Sequence, residues 1–501
     1  MKILTAPQIR EADRRTISEE NIPSVDLMER AAEAFTRWFI QKFPDTEKRI
    51  LVCCGPGNNG GDGLAIARLL QARGYPVQIW IVAPENKFSP DFEVNRQRLP
   101  ANIPVTSVTQ AAGIPATATF DLVLDGLFGT GLSRPASGIF AEVIRFINNL
   151  PAIRIAIDVP SGLYTEQPNE PGDAIVQARY TLSFELPKLA FLLPQNEKFV
   201  GEWHLASIQL SPGFLQEVTT DKYIISREQV AGLLKPRRKF SHKGTYGHAL
   251  LLAGSYGKMG AAALAARACL RSGVGLLSVH CPKVGYAILQ TAVPEAMTLP
   301  DVTETHLTQL PDLNIYQAIG IGPGLGKEAA TRNLVRQLLQ TTPAPLVIDA
   351  DALNIISEEN LQAALPANTI LTPHPKEFER LAGPASNDYH RLELLQDFCR
   401  RHQCYVVLKG GHTCIGTPAG ELHFNITGNP GMATGGTGDV LTGIITALAA
   451  QHYAPLDACR LGVYIHGLAG DLARDQVSET ALIASDLIEN LGAAFLQLQE
   501  K

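Results

Sequence analysis

Short apolar runs recur along the chain, each closed by a small-residue loop and separated from the next by a segment of helical periodicity. Strands alternating with helices are the predicted outcome. From residue 49 to 82 the order reads RILVCCG, PGNNGGDG, LAIARLLQARG, YPVQIWIV, which predicts strand, glycine-rich loop, amphipathic helix and strand, a βαβ unit. The runs DLVLDGLFGTG and IRIAIDVPSG repeat the device, each with a carboxylate where the strand stops. Ligands of open parallel sheets bind beyond the carboxyl ends of the strands, so Asp125 and Asp158 are expected at the functional edge. Capping of the following helix is the alternative for both.

Across residues 216–226 the stretch QEVTTDKYIIS loses apolar periodicity, and REQVAGLLKPRRK then opens a helix-like segment. A boundary near Asp221 is expected, dividing the chain into domains 1–220 and 221–501. The second half restarts with HALLLAGS, a helix AAALAARACLRSG, and strands in LLSVHC, AIGIGPG, LVIDADA and VVLKGG. It reads as a separate doubly wound α/β domain. Alanine in its first helix permits close approach of helix to sheet; contact of that helix N-terminus with a ligand is the other reading.

Length supports the division, because 501 residues exceed what one hydrophobic core accommodates. A net charge of -6 gives no long-range attraction to phosphate backbones or anionic lipid, so neither nucleic acid nor membrane is an expected partner. Eight cysteines are sparse in such a chain and read as buried free thiols, with Cys53 and Cys54 on opposite faces of one strand. The opening MKILTAPQIREADRRT meets charge before a signal-peptide core could form, and no run of 18 apolar residues occurs. A soluble cytoplasmic homo-oligomer acting on small molecules is the expectation.

Gly55, Gly57 and Gly60 satisfy G-x-G-x-x-G after a strand and before a helix, the context of a dinucleotide fingerprint. The Asn58-Asn59 pair and Asp62 are foreign to that fingerprint, and no acidic residue tips the second strand, so an ordinary dehydrogenase site is disfavoured. Such a loop can offer backbone N–H groups to an anion and the Asn59 amide oxygen to a cation or hydroxyl; a turn serving chain geometry alone is the alternative. Two further loops, GTGLSRP and DVPSG, follow neighbouring strands. If all three face one crevice, Asn59, Asp125 and Ser161 supply hard oxygens for an alkali or alkaline-earth ion, and Asp158 handles a proton.

The ordered motifs LMERAA, PGNNGGDG, DGLFGTG and IDVPSG resemble the N-terminal domain of the NAD(P)H-hydrate epimerase family. The resemblance implies a three-layer, Rossmann-like αβα domain. It implies that Asn58, Asn59, Gly60, Gly61 and Asp62, with Gly129, Thr130, Gly131, Leu132, Ser133, Arg134 and Pro135, hold the hydrated dinucleotide. Potassium would sit on Asn59, Asp125 and Ser161, and Asp158 would meet the substrate near C6, where R and S hydroxyls interconvert. Phe140 stands where the family often has tyrosine, so a contact through a phenol hydroxyl is not expected.

In the second half, NPGMATGGTGDVLTGIITALAA leads glycines and threonines into an apolar helix with Asp439 in its first turn. Glycines let backbone approach phosphate, the helix N-terminus stabilises developing negative charge, and Asp439 could take the proton of an attacking hydroxyl. Capping of the helix is the alternative for Asp439. No G-x-x-x-x-G-K-[ST] occurs, which excludes a P-loop. The GTGD loop resembles the anion hole and base of ribokinase-like kinases. With GPGLG, DADALN, LTPHPKEF and KGGHT the resemblance narrows to ADP- or ATP-dependent NAD(P)H-hydrate dehydratases, and a three-layer αβα fold is implied again.

By that similarity ADP lies on Lys409, Gly410, Gly411, His412 and Thr413 and on the loop Asn429, Pro430, Gly431, Met432, Ala433, Thr434, Gly435, Gly436, Thr437 and Gly438. Ala263, Gly324, His374 and Asp439 would meet the hydrated nicotinamide. His374 alone reads as structural, and Lys376, where the family often has glycine, reads as solvated. Phosphorylation at C6 followed by elimination would yield NADH or NADPH, AMP and phosphate, with Mg2+ expected on the ADP phosphates. A ribokinase-like kinase of a stable alcohol, with a non-catalytic binding domain in front, is the competing reading.

Overall fold

The computed structural model describes residues 1–114 and 119–500. The chain divides into two compact units, one Lys2–Thr220 with Asn387–Tyr389, the other Asp221–Ser386 and His390–Lys501 with Met1.

Seven strands form the first unit's sheet: β1 (Ile50–Cys54), β2 (Val77–Val82), β3 (Val105–Val108), β4 (Leu122–Gly126), β5 (Ile153–Ile157), β6 (Tyr180–Phe184) and β7 (Glu202–Ala206). Their order is β3-β2-β1-β4-β5-β6-β7, with every neighbour parallel. The order reverses between β1 and β4, the switch point at which such sheets leave a crevice. Alternation along β1 assigns its residues to two cores. Ile50, Val52 and Cys54 pack with Phe35, Phe39 and Leu64 from the helices Ser24–Lys42 and Asn58–Gln71. Leu51 and Cys53 pack with Ile144 and Ile147 of the helix Ile139–Asn149. Three layers follow, with the two adjacent cysteines on opposite faces as the pleat requires.

The second unit carries β8 (Lys222–Ile224), β9 (His248–Leu252), β10 (Leu276–Cys281), β11 (Met297–Pro300), β12 (Ala318–Ile321), β13 (Leu346–Ile348), β14 (Ile370–Leu371), β15 (Tyr405–Leu408), β16 (Cys414–Gly416) and β17 (Leu422–Phe424). Sheet order is β11-β10-β9-β12-β13-β14-β15-β16-β17-β8. From β11 to β15 all pairings are parallel; β16 runs antiparallel to both its neighbours, and β17 takes β8 in parallel. The non-periodic stretch 216–226 therefore contains a strand. At three residues β8 is too short to show alternation, and pairing with β17 rather than propensity accounts for it. Alanine in the helix Met259–Arg271 does what close packing asks: Ala262, Ala265 and Ala266 are fully buried against Leu251 and Val279.

All eight cysteines are free and buried. Among the described residues, no helix is long and apolar enough to cross a membrane.

Candidate active sites

In the first unit the glycine loop leaves β1 and enters the helix Asn58–Gln71. A Cβ on Gly60 would lie 1.8 Å from the Gly55 carbonyl oxygen, so only glycine allows so tight a return. Beside this helix end opens a cleft of about 610 Å³, lined by Asn58, Asn59, Asp62, the loop 129–134 and Asp158. Gly60 and Gly61 are buried and Pro135 is exposed, and none of the three lines the cleft.

Of the three expected cation ligands, Asn59 and Ser161 meet at one backbone carbonyl and Asp125 is tied to Ser161. Asn59 Nδ2 donates to the Phe128 oxygen at 2.9 Å, and Ser161 Oγ approaches the same oxygen at 3.2 Å. Asp125 takes Ser161 Oγ–H on Oδ1 at 2.6 Å and the Ser161 N–H on Oδ2 at 2.7 Å. It caps no helix. Asp125 is wholly buried; burial pushes its carboxyl up to about 6, opposed by the hydrogen bonds from Ser161 and Leu127. A buried carboxylate among hard oxygens, without lysine or arginine beside it among the described residues, has the chemistry of a monovalent-cation site.

Asp158 ends β5 in the left-handed region, φ 63°, a conformation that aspartate tolerates better than most residues. The turn aims its Oδ1 at Lys188 Nζ, 2.8 Å away, with Ser183 Oγ donating to the same oxygen at 2.8 Å. Lys188, its side chain only 2% exposed, also donates to Ser183 Oγ and to the Leu186 carbonyl. Sequence reasoning missed Lys188, along with Asp13, which reaches the cleft from the helix Ala6–Glu20. Phe140 packs on Phe128, ring centroids 4.7 Å apart, and so supports the second loop by apolar contact.

In the second unit the ends of β12, β13, β14 and β15 gather around the N-terminus of the helix Thr437–Ala450. Gly436 precedes it at φ 94°, with no side-chain cap. Asp439 is half-buried and accepts no capping bond, so the cap alternative fails. Asp349, after β13, is 1% exposed; its Oδ1 meets Lys409 Nζ at 2.9 Å, and its Oδ2 accepts from Thr442 Oγ1 at 2.8 Å. A Cβ on Gly438 would come within 3.3 Å of Lys409 Nζ, so the ammonium lies against the helix entrance. Burial first, then Asp349 and Asp351 against Lys409, pushes Asp439 up to about 7. For Lys409 burial pulls down, but the Asp349 carboxylate outweighs it and the pKa is raised.

Gly322 (φ 127°) has no room for a side chain, since a Cβ would sit 1.8 Å from the Asp349 carbonyl oxygen. Gly324 is anchored through its carbonyl by Ser255 Oγ at 2.7 Å, and Gly326 N–H by Asp351 Oδ2 at 2.9 Å. His374 turns out to cap the helix Pro375–Ala382: Nδ1 accepts from the N–H groups of Lys376 and Glu377. The acceptor role puts the ring proton of the neutral imidazole on Nε2, and burial lowers the pKa. Lys376 is exposed, in keeping with solvation. Ala263 is half-buried on its helix.

Of the two nucleotide loops, 409–413 is tied to the His374 loop by Lys409 N–H on the Pro373 carbonyl at 2.9 Å. Gly410 and Gly411 are exposed, His412 and Thr413 half-buried. In the loop 429–438, Asn429 Oδ1 accepts from Gly431 N–H, its Nδ2 donates to Asp471 Oδ1 at 3.1 Å, and Thr437 Oγ1 donates to the Met432 and Thr434 carbonyls. Pro430, Ala433 and Gly435 face solvent. Asp349, Thr442 and Asp471 are supporting residues to which the sequence reading gave no role.

Comparison with known proteins places each half of the chain in a family. The family described as YjeF-related protein N-terminus matches residues 24–190, and that described as NAD(P)H-hydrate dehydratase matches residues 249–492. The bifunctional NAD(P)H-hydrate repair enzyme Nnr of Moorella thermoacetica is 38% identical over 100% of this chain and 98% of its own. That of Thermofilum pendens is 34% identical over 100% and 97%. Among solved structures, a ribokinase-like superfamily protein of Enterococcus faecalis superposes at TM-score 0.52, with 28% identity, over 57% of this chain and 99% of its own. With such identity along its whole length, and a structured site in each unit, the chain belongs to the family of bifunctional NAD(P)H-hydrate repair enzymes.

Proposed function

We propose that the first unit interconverts the R and S epimers of hydrated NADH and NADPH, and that the second dehydrates the S epimer with ADP. One observation carries the reading: Asp439 stands in the first turn of a glycine-led helix, next to the buried Asp349–Lys409 pair. That grouping suits phosphoryl transfer to an alcohol. The N–H groups of Gly436, Thr437 and Gly438 would stabilise charge on the transferring phosphoryl group. Asp439 takes the proton of the C6 hydroxyl as its oxygen attacks the β-phosphoryl group of ADP, and AMP departs. Loss of phosphate from C6 and of a proton from C5 then restores the dihydropyridine. The loops 409–413 and 429–438 would hold ADP; Ala263, Gly324 and His374 would hold the nicotinamide. Mg2+ would enter with the ADP phosphates and neutralise their charge, the carboxylates of Asp349 and Asp439 being the acidic groups on hand.

Epimerisation fits the first cleft, where the helix start 58–62 and the loop 129–135 would hold the dinucleotide and Asp158 would move the hydroxyl proton. Buried free thiols favour a reducing compartment, and we assign the protein to the cytoplasm. Pure R and S hydrates, each incubated with and without ADP and followed by the near-ultraviolet absorbance of reduced nicotinamide, test the whole reading. Rapid ADP-dependent recovery from S, equally complete recovery from R, and AMP with inorganic phosphate as by-products are expected. A stable phosphorylated alcohol would sink it.

Potassium fits the oxygens of Asn59, Asp125 and Ser161. Replacing K+ by a bulky organic cation, or Asp125 by asparagine, is expected to slow epimerisation by about 10–100-fold, the usual cost of weakening a metal site. Dehydration of the S epimer serves as the internal control and should not change. Equal epimerisation rates in K+ and in the organic cation would remove the assignment.

A further inference from the structure

Epimerisation at C6 needs two proton carriers. If the ring opens, the C6 hydroxyl must lose a proton while the nitrogen released from C6 must gain one, and Asp158, paired with Lys188, is suited only to the first task. The cleft holds other carboxyls. Asp13 and Asp62 line it together with Asp158, Lys188, Asp91 and Arg10. Among the described residues neither Asp13 nor Asp62 makes a hydrogen bond or a salt bridge, in contrast to Asp158, although the charge of Lys188 is felt at Asp13. Carboxyl groups that share one cleft raise one another's affinity for protons, and the ammonium of Lys188 and the guanidinium groups of Arg10 and Arg134 oppose this, so those without an ion pair are the best placed to carry a proton.

We propose that Asp13 is the acid of the epimerase cleft, giving a proton to the ring nitrogen while Asp158 withdraws the proton of the C6 hydroxyl. As the C6–N1 bond breaks, its electron pair goes to N1, which takes the proton of Asp13, and the C6 oxygen becomes an aldehyde as Asp158 receives its hydrogen. Rotation about C5–C6 then presents the other face of the aldehyde. Closure reverses each transfer: Asp13 recovers the N1 proton as N1 attacks C6, and Asp158 returns its proton to oxygen. No oxidant, reductant or co-substrate is required. Burial foremost, then the charge of Asp158 against that of Lys188, raises Asp13 to about 6; Asp62 is likewise raised by burial and by Asp158, Asp13 and Asp91.

The inference rests on epimerisation by the first unit, and the experiment separates the two. Initial rates of R-to-S conversion are measured across pH for wild type, Asp13→Asn and Asp13→Glu. Wild type should lose rate as pH rises past about 6, because the acid is spent. Asp13→Asn should fall about 10²–10⁴-fold, the range for loss of a general acid, with KM little changed and that alkaline limb gone. Asp13→Glu, which keeps an acid, should recover part of the rate and the limb. Wild type that fails to interconvert the epimers sinks the functional reading itself. Interconversion that survives Asp13→Asn with its limb intact sinks only the role of Asp13. Should the variants not fold, a wild-type rate that keeps rising with pH overturns the proposal without them.

Discussion

Asparagine in place of Asp439 is expected to cut ADP-dependent dehydration of the S hydrate by about 10²–10⁴-fold, the span covered by loss of a general base, and to leave epimerisation unchanged. The substitution keeps shape and removes only the capacity to accept a proton. Because the carboxyl is pushed up to about 7, wild type should show the base in its pH profile. Below that value Asp439 is protonated and idle; the rate should climb as pH rises through about 7 and level off above it. The climb has a physical source in burial, with Asp349 and Asp351 raising the carboxyl and Lys409 opposing them. In the variant the limb should vanish along with the rate. Turnover in Asp439→Asn within threefold of wild type, with the limb preserved, would move the base elsewhere.

Much of this architecture was legible in the apolar runs, since a buried parallel strand needs continuous apolar residues and its loop needs glycine. Thus β1 falls where RILVCCG placed it and Cys53 and Cys54 part to opposite faces, but the helix begins at Asn58, inside the PGNNGGDG stretch that reads as loop, because its glycines do not stop a helix whose face packs on the sheet. Three strands at the sheet edge were not legible: β8, β16 and β17 acquire their conformation from one another, whereas the equally short β13 was marked by its apolar run. The sites divide similarly. Residues on loops at strand ends could be named because position along a strand predicts position in the sheet. Partners could not, because nothing local ties Lys188 to Asp158, 30 residues away, or Thr442 to Asp349, 93 residues away. His374 shows the reverse case, in which a residue picked out by its motif has a second, purely structural duty as a helix cap. Its Nδ1 is committed to that cap, and its Nε2 lies 3.5 Å from Glu377 Oε1.

For Asp158 the expected loss is complete in function and visible in stability as well. With a mixture of R and S hydrates and excess ADP, wild type should repair the whole pool. Asp158→Ala should repair the S fraction and then stall, the remainder following at the spontaneous rate. Removal of the carboxylate also strands Lys188, whose side chain is 2% exposed and whose one salt bridge among the described residues is with Asp158. An uncompensated buried charge costs about 3–5 kcal/mol, so the melting temperature of the first unit should drop by roughly 2–4 °C for each kcal/mol. Loss of activity could then be blamed on unfolding, and a second substitution removes that ambiguity. Adding Lys188→Met to Asp158→Ala withdraws the stranded charge and should return most of the lost stability, because an apolar side chain of similar length fills the same space. Epimerisation should not return with it. If the stabilised double variant converts the R hydrate as fast as wild type, Asp158 is a structural partner of Lys188 and the proton passes through another group.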